Sequence, residues 1–263
     1  TRLRTVTGVQ TCALPIYAAW HYYHVSTLVL HFKMTTSQLL PFNKIILGSG
    51  SPRRKQLLEG LGWPVTVIKK DVDETIVPGL NGEAIAILLA EKKAKAFDGE
   101  LSTDELLITA DTIVCLEHQV LGKPVDRNDA ISMLKRLQGN THQVFTGVCL
   151  TISAKRHCFT VATAVTFHPL SDSAIESYID HYQPYDKAGA YGAQETLSPG
   201  INPLSEKELN FLSSVNKPKL FQETLAIDQL KQVPIIASIN GSYFNVMGLP
   251  LAELWDELKN FAS

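Results

Sequence analysis

The sequence predicts an α/β protein: a mixed β-sheet flanked by helices. Three observations lead there. From Asn43 onward, short β-branched runs alternate with segments of helical spacing. Two long strand-like runs, 142–153 and 156–168, read as an antiparallel hairpin turning around Ala154-Lys155. Hydrophobic residues make up 45% of the 263 and charged residues 19%, enough apolar material for a sizeable core. Strand–helix–strand units together with a hairpin require parallel and antiparallel pairs in one sheet, covered on both faces.

Residues 44–47 (KIIL) form the first strand, which ends in Gly48-Ser49-Gly50-Ser51-Pro52. Ser51 is a natural N-cap and Pro52 suits the first helical position, so a helix follows over 53–61 with Leu57, Leu58 and Leu61 on one face. Residues 65–68 make a second strand, closed by the acidic stretch Asp71-Val72-Asp73-Glu74. Asn81 caps a long helix over 82–97 with a lysine-rich outer face. Residues 106–109 form a third, buried strand that runs into Ala110-Asp111-Thr112. Asp126 caps a helix reaching Leu137, and Gly139 ends it. Further helices are expected over 171–182 and 250–261. Between them, 196–233 holds Pro199, Pro203 and Pro218, a polar helical piece near 205–212 and no strong apolar period. A surface excursion is the expectation there.

Charge narrows the partners. Lysine plus arginine is 24 against 26 for aspartate plus glutamate, a net charge of −2. A surface built for nucleic-acid backbones shows a basic excess, so a nucleic-acid partner is not expected. An anion must instead be caught by a few cations in a pocket. No run of about 18 apolar residues is present, so no membrane partner is expected either. The four cysteines, Cys12, Cys115, Cys149 and Cys158, form no CxxC pair and predict free, mostly buried thiols in a reducing cytoplasm rather than a zinc site or disulfide framework. Residues 1–33 lack a clean period. Within them Val6 to Ile16, VTGVQTCALPI, resembles the translation of a sequencing adapter, so 1–33 is expected to be a non-native leader and 34–263 the domain.

Four places carry chemistry. In LGSGSPRRKQLL the glycines allow close approach to a ligand, helix-start amides favour an anion, and Arg53 and Arg54 add two permanent cations. The spacing is neither that of a P-loop nor of a dinucleotide fingerprint. Asp111, expected at the carboxyl end of a buried strand, stands where ligands of α/β sheets bind and where a general base or metal ligand is needed. Lys123 in GKP and Lys187 in YDKAGAYGAQE complete the cations. Arg53, Arg54, Lys93, Lys123 and Lys187 together could hold one polyphosphate, leaving Asp73, Glu74 and Asp111 for a divalent ion.

SGSPRRKQLL, DET, the Ala-rich helix ending in KKA, TADTIV, LGKPVD, the H-x-V-x-TGV of 142–148, YDKAGAYGAQ and GSYFNVMGLPL occur in the order found in the Maf-like nucleotide pyrophosphatases. The resemblance runs from about residue 44 to about 254, apart from 196–233. It implies an elongated α/β fold related to the inosine-triphosphate pyrophosphatases, a homodimer, and a divalent metal, Mg²⁺ or Mn²⁺. It also implies a hydrolase acting on phosphoric anhydrides, splitting a nucleoside triphosphate into monophosphate and diphosphate. Asp111 matches the family's proton acceptor. Arg53, Thr112 and Gln194 match the positions that mark the dTTP/UTP branch and would set substrate specificity. Ser49, Arg54, Lys93, Lys123 and Lys187 would hold phosphates, and Glu74 with Asp111 the metal. A modified-nucleotide pyrophosphatase and a nucleotide-binding division regulator without turnover are the alternatives. Glu195 replaces the family's usual glycine and adds negative charge near the expected base pocket. Gln138 replaces a serine, and 196–233 replaces a shorter connection.

Overall fold

The computed structural model describes residues 42–76, 79–153, 155–225 and 234–262. The expectation for 1–33, and Cys12 with it, lies outside the described residues. Among the described residues, seven strands form one mixed sheet in the order β2-β1-β3-β5-β6-β7, with β4 pairing β3. They are β1 (Lys44–Leu47), β2 (Val65–Val67), β3 (Glu105–Leu116), β4 (Gln119–Leu121), β5 (Thr141–Ile152), β6 (Lys155–Phe167) and β7 (Ile236–Asn240). β1 lies parallel to both β2 and β3, and the other pairs are antiparallel.

The helices begin where their caps predict. Ser51 opens α1 (Pro52–Gly60), Asn81 opens α2 (Gly82–Lys95), Asp126 opens α3 (Arg127–Leu137), and Ser171 opens α4 (Asp172–Tyr182). Each of these side chains accepts the N–H three residues on, which satisfies a donor that the helix itself cannot. Leu57 and Leu58 of α1, with Leu61 just past its end, are essentially inaccessible and join the main core. Each such side chain contributes about 1.5–3 kcal/mol of burial. A 3-10 turn (Ala188–Ala190) and the short helix α5 (Ala193–Thr196) follow α4, and α9 (Leu251–Ala262) ends the described chain.

α2 covers one face of the sheet. Ile85, Ala86 and Leu89 pack on Ile113 and Cys115, while Ala110 and Val114, pointing the other way from the same strand, enter the main core. Gly147 sets how closely α2 can lie. A Cβ on it would stand 2.3 Å from the Ala86 carbonyl oxygen, so only glycine lets the helix backbone rest on β5.

Three expectations change. β3 does not stop at Thr109 but continues through Asp111 to Leu116, because β5 pairs with it as far as Cys115. Asp111 therefore lies mid-strand and is terminal only relative to β1, whose last partner is Ile108. Second, Cys149 and Cys158 are joined by a disulfide, against the expected free thiols. The hairpin pairs Ile152 with Lys155, one residue earlier than the turn expected at Ala154-Lys155, and that register sets Cys149 directly opposite Cys158. Cys115 is free and buried. Third, 196–233 is not wholly superficial. It contributes α6 (Glu206–Ser214) and α7 (Leu220–Thr224), whose Phe211, Leu212 and Leu220 are buried in the main core. Helices of nine and five residues bury too few side chains to show a period in the sequence. The short helix α8 (Tyr243–Val246) follows β7.

Candidate active site

Past Leu47 the chain leaves the sheet, and Gly48 N–H still donates to Ile108 O at 2.9 Å. A Cβ on Gly48 would stand 2.7 Å from Thr109 Cγ2, so glycine lets this loop lie on β3. Beyond Ile108, one edge of β3 is bare until β4 joins at Val114. Arg54, on the first turn of α1, fills that gap. Its Nη1 donates to Ala110 O at 2.9 Å and to Ser49 Oγ at 3.0 Å. Its Nη2 donates to Thr112 Oγ1 at 3.0 Å, and its Nε to Gly248 O at 2.8 Å. Four of its five donors are thus committed within the protein, and burial lowers its pKa. Arg54 is a buried clamp with one N–H to spare for a ligand rather than a free phosphate arm.

Thr112 is fixed in the same way. Thr146 Oγ1 donates to Asn245 O at 3.1 Å, so the contact between the two hydroxyls, 3.0 Å long, runs from Thr112 to Thr146. With Arg54 donating to it, Thr112 Oγ1 can offer a ligand only a lone pair.

Asp111 points to the opposite face of β3, beneath α2. Thr109 Oγ1 ties the strand to that helix through Ala90 O at 2.8 Å. One turn on, Lys93 Nζ hydrogen-bonds Asp111 Oδ1 and also pairs with Glu74 Oε1 at 2.9 Å. Burial alone would raise the Glu74 carboxyl. The hydrogen bond and charge of Lys93, with Lys123 and Arg54 behind it, carry its pKa below the ordinary carboxylate value. Among the described residues the second oxygen of each carboxylate accepts no hydrogen bond, so both remain available to a ligand.

Two loops close the other side. Gly189 N–H donates to Gly122 O at 3.0 Å, which docks the GKP turn onto the 3-10 turn and brings Lys123 and Lys187 to one wall. Asp186 bridges two cations, Arg53 at 3.2 Å and Lys187 at 3.0 Å. Glu195 faces away behind this wall, accepting from Tyr178 Oη at 3.0 Å and standing 3.6 Å from Lys187. Its charge is therefore compensated and does not face the cleft as expected.

These groups line one cleft of about 650 Å³. Ser49, Arg53, Arg54, Glu74, Lys93, Asp111, Thr112, Lys123 and Lys187 all border it. Among the described residues seven basic and three acidic side chains line it, a local positive excess in a chain of net charge −2. Gln194 does not reach it. Its Nε2 donates to Thr224 O and, at 3.3 Å, to Gln56 Oε1, beside a separate cleft of about 330 Å³ between α1 and α7. Asp73 is also outside, with its Oδ1 accepting from Thr75 N at 2.9 Å. Thr146 and the carbonyls of Asn245 and Gly248 are supports the sequence reading missed. Their motifs, TGV and NVMG, were visible, but a backbone acceptor leaves no mark in a sequence.

Among the described residues no group of three or more His, Cys, Asp or Glu side chains is placed to hold a metal. Two carboxylates with free oxygens bordering the cleft nevertheless fit Mg²⁺, which takes one or two protein carboxylates and completes its shell with water and phosphate. No helix of the described residues is long and apolar enough to cross a membrane.

The family model for Maf-like protein matches residues 44–213. The dTTP/UTP pyrophosphatase of Bacteroides fragilis is 45% identical over 217 residues, 82% of this chain and 95% of that protein. The dTTP/UTP pyrophosphatase of Bacteroides thetaiotaomicron is 42% identical over the same shares, and that of Porphyromonas gingivalis 40% identical over 83% of this chain and 94% of its own. Among solved structures, a nucleoside-triphosphatase/dITP/XTP pyrophosphatase of Mycobacterium abscessus matches at a TM-score of 0.33 and 14% identity, covering 47% of this chain and 74% of that one, too slight a likeness to carry argument. With the family model matching residues 44–213 and relatives at 40–45% identity covering more than four-fifths of its length, the chain belongs to the Maf-like protein family.

Proposed function

We propose that this chain is a nucleoside triphosphate pyrophosphatase that hydrolyses dTTP and UTP to the monophosphate and diphosphate, a house-cleaning activity on nucleotide pools. One observation carries the reading: the acid Asp111, held by Lys93, opens into the same cation-lined cleft as Arg53, Lys123 and Lys187. The relatives at 40–45% identity, all named dTTP/UTP pyrophosphatase, support the substrate pair. A protein that only binds nucleotide has no need of an acid placed among phosphate-binding cations.

Water attacks the α-phosphorus, the bond to the bridging oxygen breaks, and diphosphate leaves. Asp111 orients the water and takes its proton. Lys93 fixes the Asp111 carboxylate, while Lys123, Lys187 and Arg53 offset charge on the phosphate chain as it departs. Ser49 and Arg54 hold the loop and strand edge against which the substrate lies. Glu74 and Asp111 would hold a divalent cation, Mg²⁺ or Mn²⁺, which when bound neutralises phosphate charge. Arg53 and Thr112 border the cleft and remain candidates for base selection. Gln194 could join them only by giving up its bonds to Gln56 and Thr224. A homodimer and a cytoplasmic location go with this reading, on the family resemblance. Initial rates with dTTP, UTP, dCTP, GTP and 7-methyl-GTP, in Mg²⁺ or Mn²⁺, test it. Diphosphate release favouring dTTP and UTP is expected, and equal rates on all five would overturn the preference.

A further inference from the structure

Glu208 is fully buried and, among the described residues, has no cationic partner, yet both its carboxylate oxygens are occupied. Oε2 accepts from Ser205 N and Oγ, both at 2.9 Å, and from Tyr243 N at 3.2 Å. Oε1 accepts from Ser242 Oγ at 2.8 Å and Phe244 N at 3.0 Å. The Ser205 bonds are an ordinary capping box at the start of α6. The others are not local, for they reach 34 to 36 residues along the chain to the first turn of α8.

A helical turn sends its free N–H groups one way and its free carbonyls the other. With the N–H end of α8 fastened to Glu208, its carbonyl end is aimed at the cleft. Asn245 O accepts from Thr146, which holds Thr112, and Gly248 O accepts from Arg54 Nε. Asn245 is itself fully buried and tied to β5 and β6 through Val144 O at 3.0 Å and Thr163 Oγ1 at 2.9 Å. The segment 242–248 is thus a peg, clamped at one end by the 196–233 excursion and presenting at the other the two carbonyls that fix Arg54 and Thr112.

We propose that Glu208 is a positioning residue of the cleft: through α8 it holds the Arg54–Thr112 pair in register with Asp111. The proposal rests on the pyrophosphatase reading for its kinetic readout but not for its structural one. The experiment compares Glu208→Gln, Ser242→Ala and, as a destabilising control, Leu212→Ala, which trims a buried apolar side chain of the same helix without touching these bonds. Assays run well below each variant's Tm, with rates per folded protein. Glu208→Gln is expected to lower kcat on UTP at least tenfold and Ser242→Ala a few-fold, while Leu212→Ala lowers Tm and leaves kcat near wild type. Combined with Thr112→Val, Glu208→Gln should cost much less than the product of the two single effects, because both act through Thr112. Hydrogen exchange supplies an arm independent of activity: Glu208→Gln should speed exchange in 109–113 as well as in 242–248, and Leu212→Ala should not. Full additivity, or faster exchange confined to 204–215 and 242–244, would overturn the proposal. Should the wild-type protein hydrolyse neither dTTP nor UTP, the substrate reading falls and the exchange arm still decides on Glu208.

Discussion

Lys93 on α2 and Asp111 in β3 form a hydrogen-bonded ion pair whose side chains are only 15% and 14% exposed. The lysine holds the acid in place at the cleft wall. In Asp111→Asn the amide oxygen can still accept from Lys93, so the shape is kept while the charge and the proton acceptor are lost. We expect kcat to fall about 10²–10⁴-fold with nucleotide affinity retained. Diphosphate release together with calorimetric nucleotide binding checks this, and unchanged turnover would remove Asp111 from its role.

Arg54→Lys tests the clamp. Lysine cannot reach four acceptors from one ammonium, so some of Ser49, Ala110, Thr112 and Gly248 lose their partner in a buried place. The expected cost is about 2–4 kcal/mol of stability, with loss of turnover. Denaturant melts compared with Arg53→Lys check it. Arg53 makes one exposed bond, to Asp186, so its substitution should leave stability near wild type.

Gly147 lies opposite Asp111 in the β3–β5 register and beneath Ala86 of α2. Gly147→Ala should push α2 off the sheet, costing about 1–3 kcal/mol and drawing Lys93 away from Asp111. Both Tm and kcat should fall. Gly122→Ala, where a Cβ meets open space, should leave Tm unchanged. Equal behaviour of the two variants would show that the close approach of α2 does not matter.

Much of this architecture is legible in the sequence because it is local. Ser51, Asn81, Asp126 and Ser171 declare their helices, and the long runs of β5 and β6 declare a hairpin. Lys123 and Lys187 could be named because Gly or Pro marks their loops, and Arg53 and Arg54 because they follow the Gly- and Pro-marked turn into α1, whereas Lys69 and Lys70 carry no such mark. What was hidden is what depends on pairing between distant segments. The continuation of β3 past Asp111 is imposed by β5, and the Cys149–Cys158 bridge by a one-residue difference in the hairpin turn. Gln194 carries a motif's residue type, yet in this chain its amide turns to Thr224, a residue supplied by the excursion. The short strand β7 and the burial of Phe211 and Leu212 likewise follow from packing that no single segment announces.

The disulfide gives a further expectation. Cys149 packs with Ala90 and Ala94 on the underside of α2, so the bridge braces the surface beneath Lys93. With nine residues of separation, the chain-entropy gain is about 2–3 kcal/mol at most. Reduction, or Cys158→Ser, should lower Tm by several degrees, and peptide mapping without reductant should recover 149 and 158 in one linked fragment. A Tm indifferent to reductant would show that the strands hold their register without the bridge.

His142 supplies the pH dependence. It is 1% exposed, its Nε2 lies 2.8 Å from Tyr191 Oη, and its Nδ1 has no partner among the described residues. Burial lowers its pKa to about 4 in the folded protein, against 6.5 for the free side chain. The unfolded chain therefore binds the proton first. His142 contributes its full stabilisation above pH 6.5, loses it as the pH falls towards 4, and changes nothing further below that. The difference between the plateaus is up to about 3 kcal/mol. Carboxylates titrate in the same window, so the measurement is a difference: stability from denaturant melts between pH 4 and 7.5 for the wild type and for His142→Phe. The variant's curve should be flatter by that amount, whatever its absolute stability. Parallel curves would mean that the ring is protonated in place, with water or a shifted Tyr191 serving Nδ1.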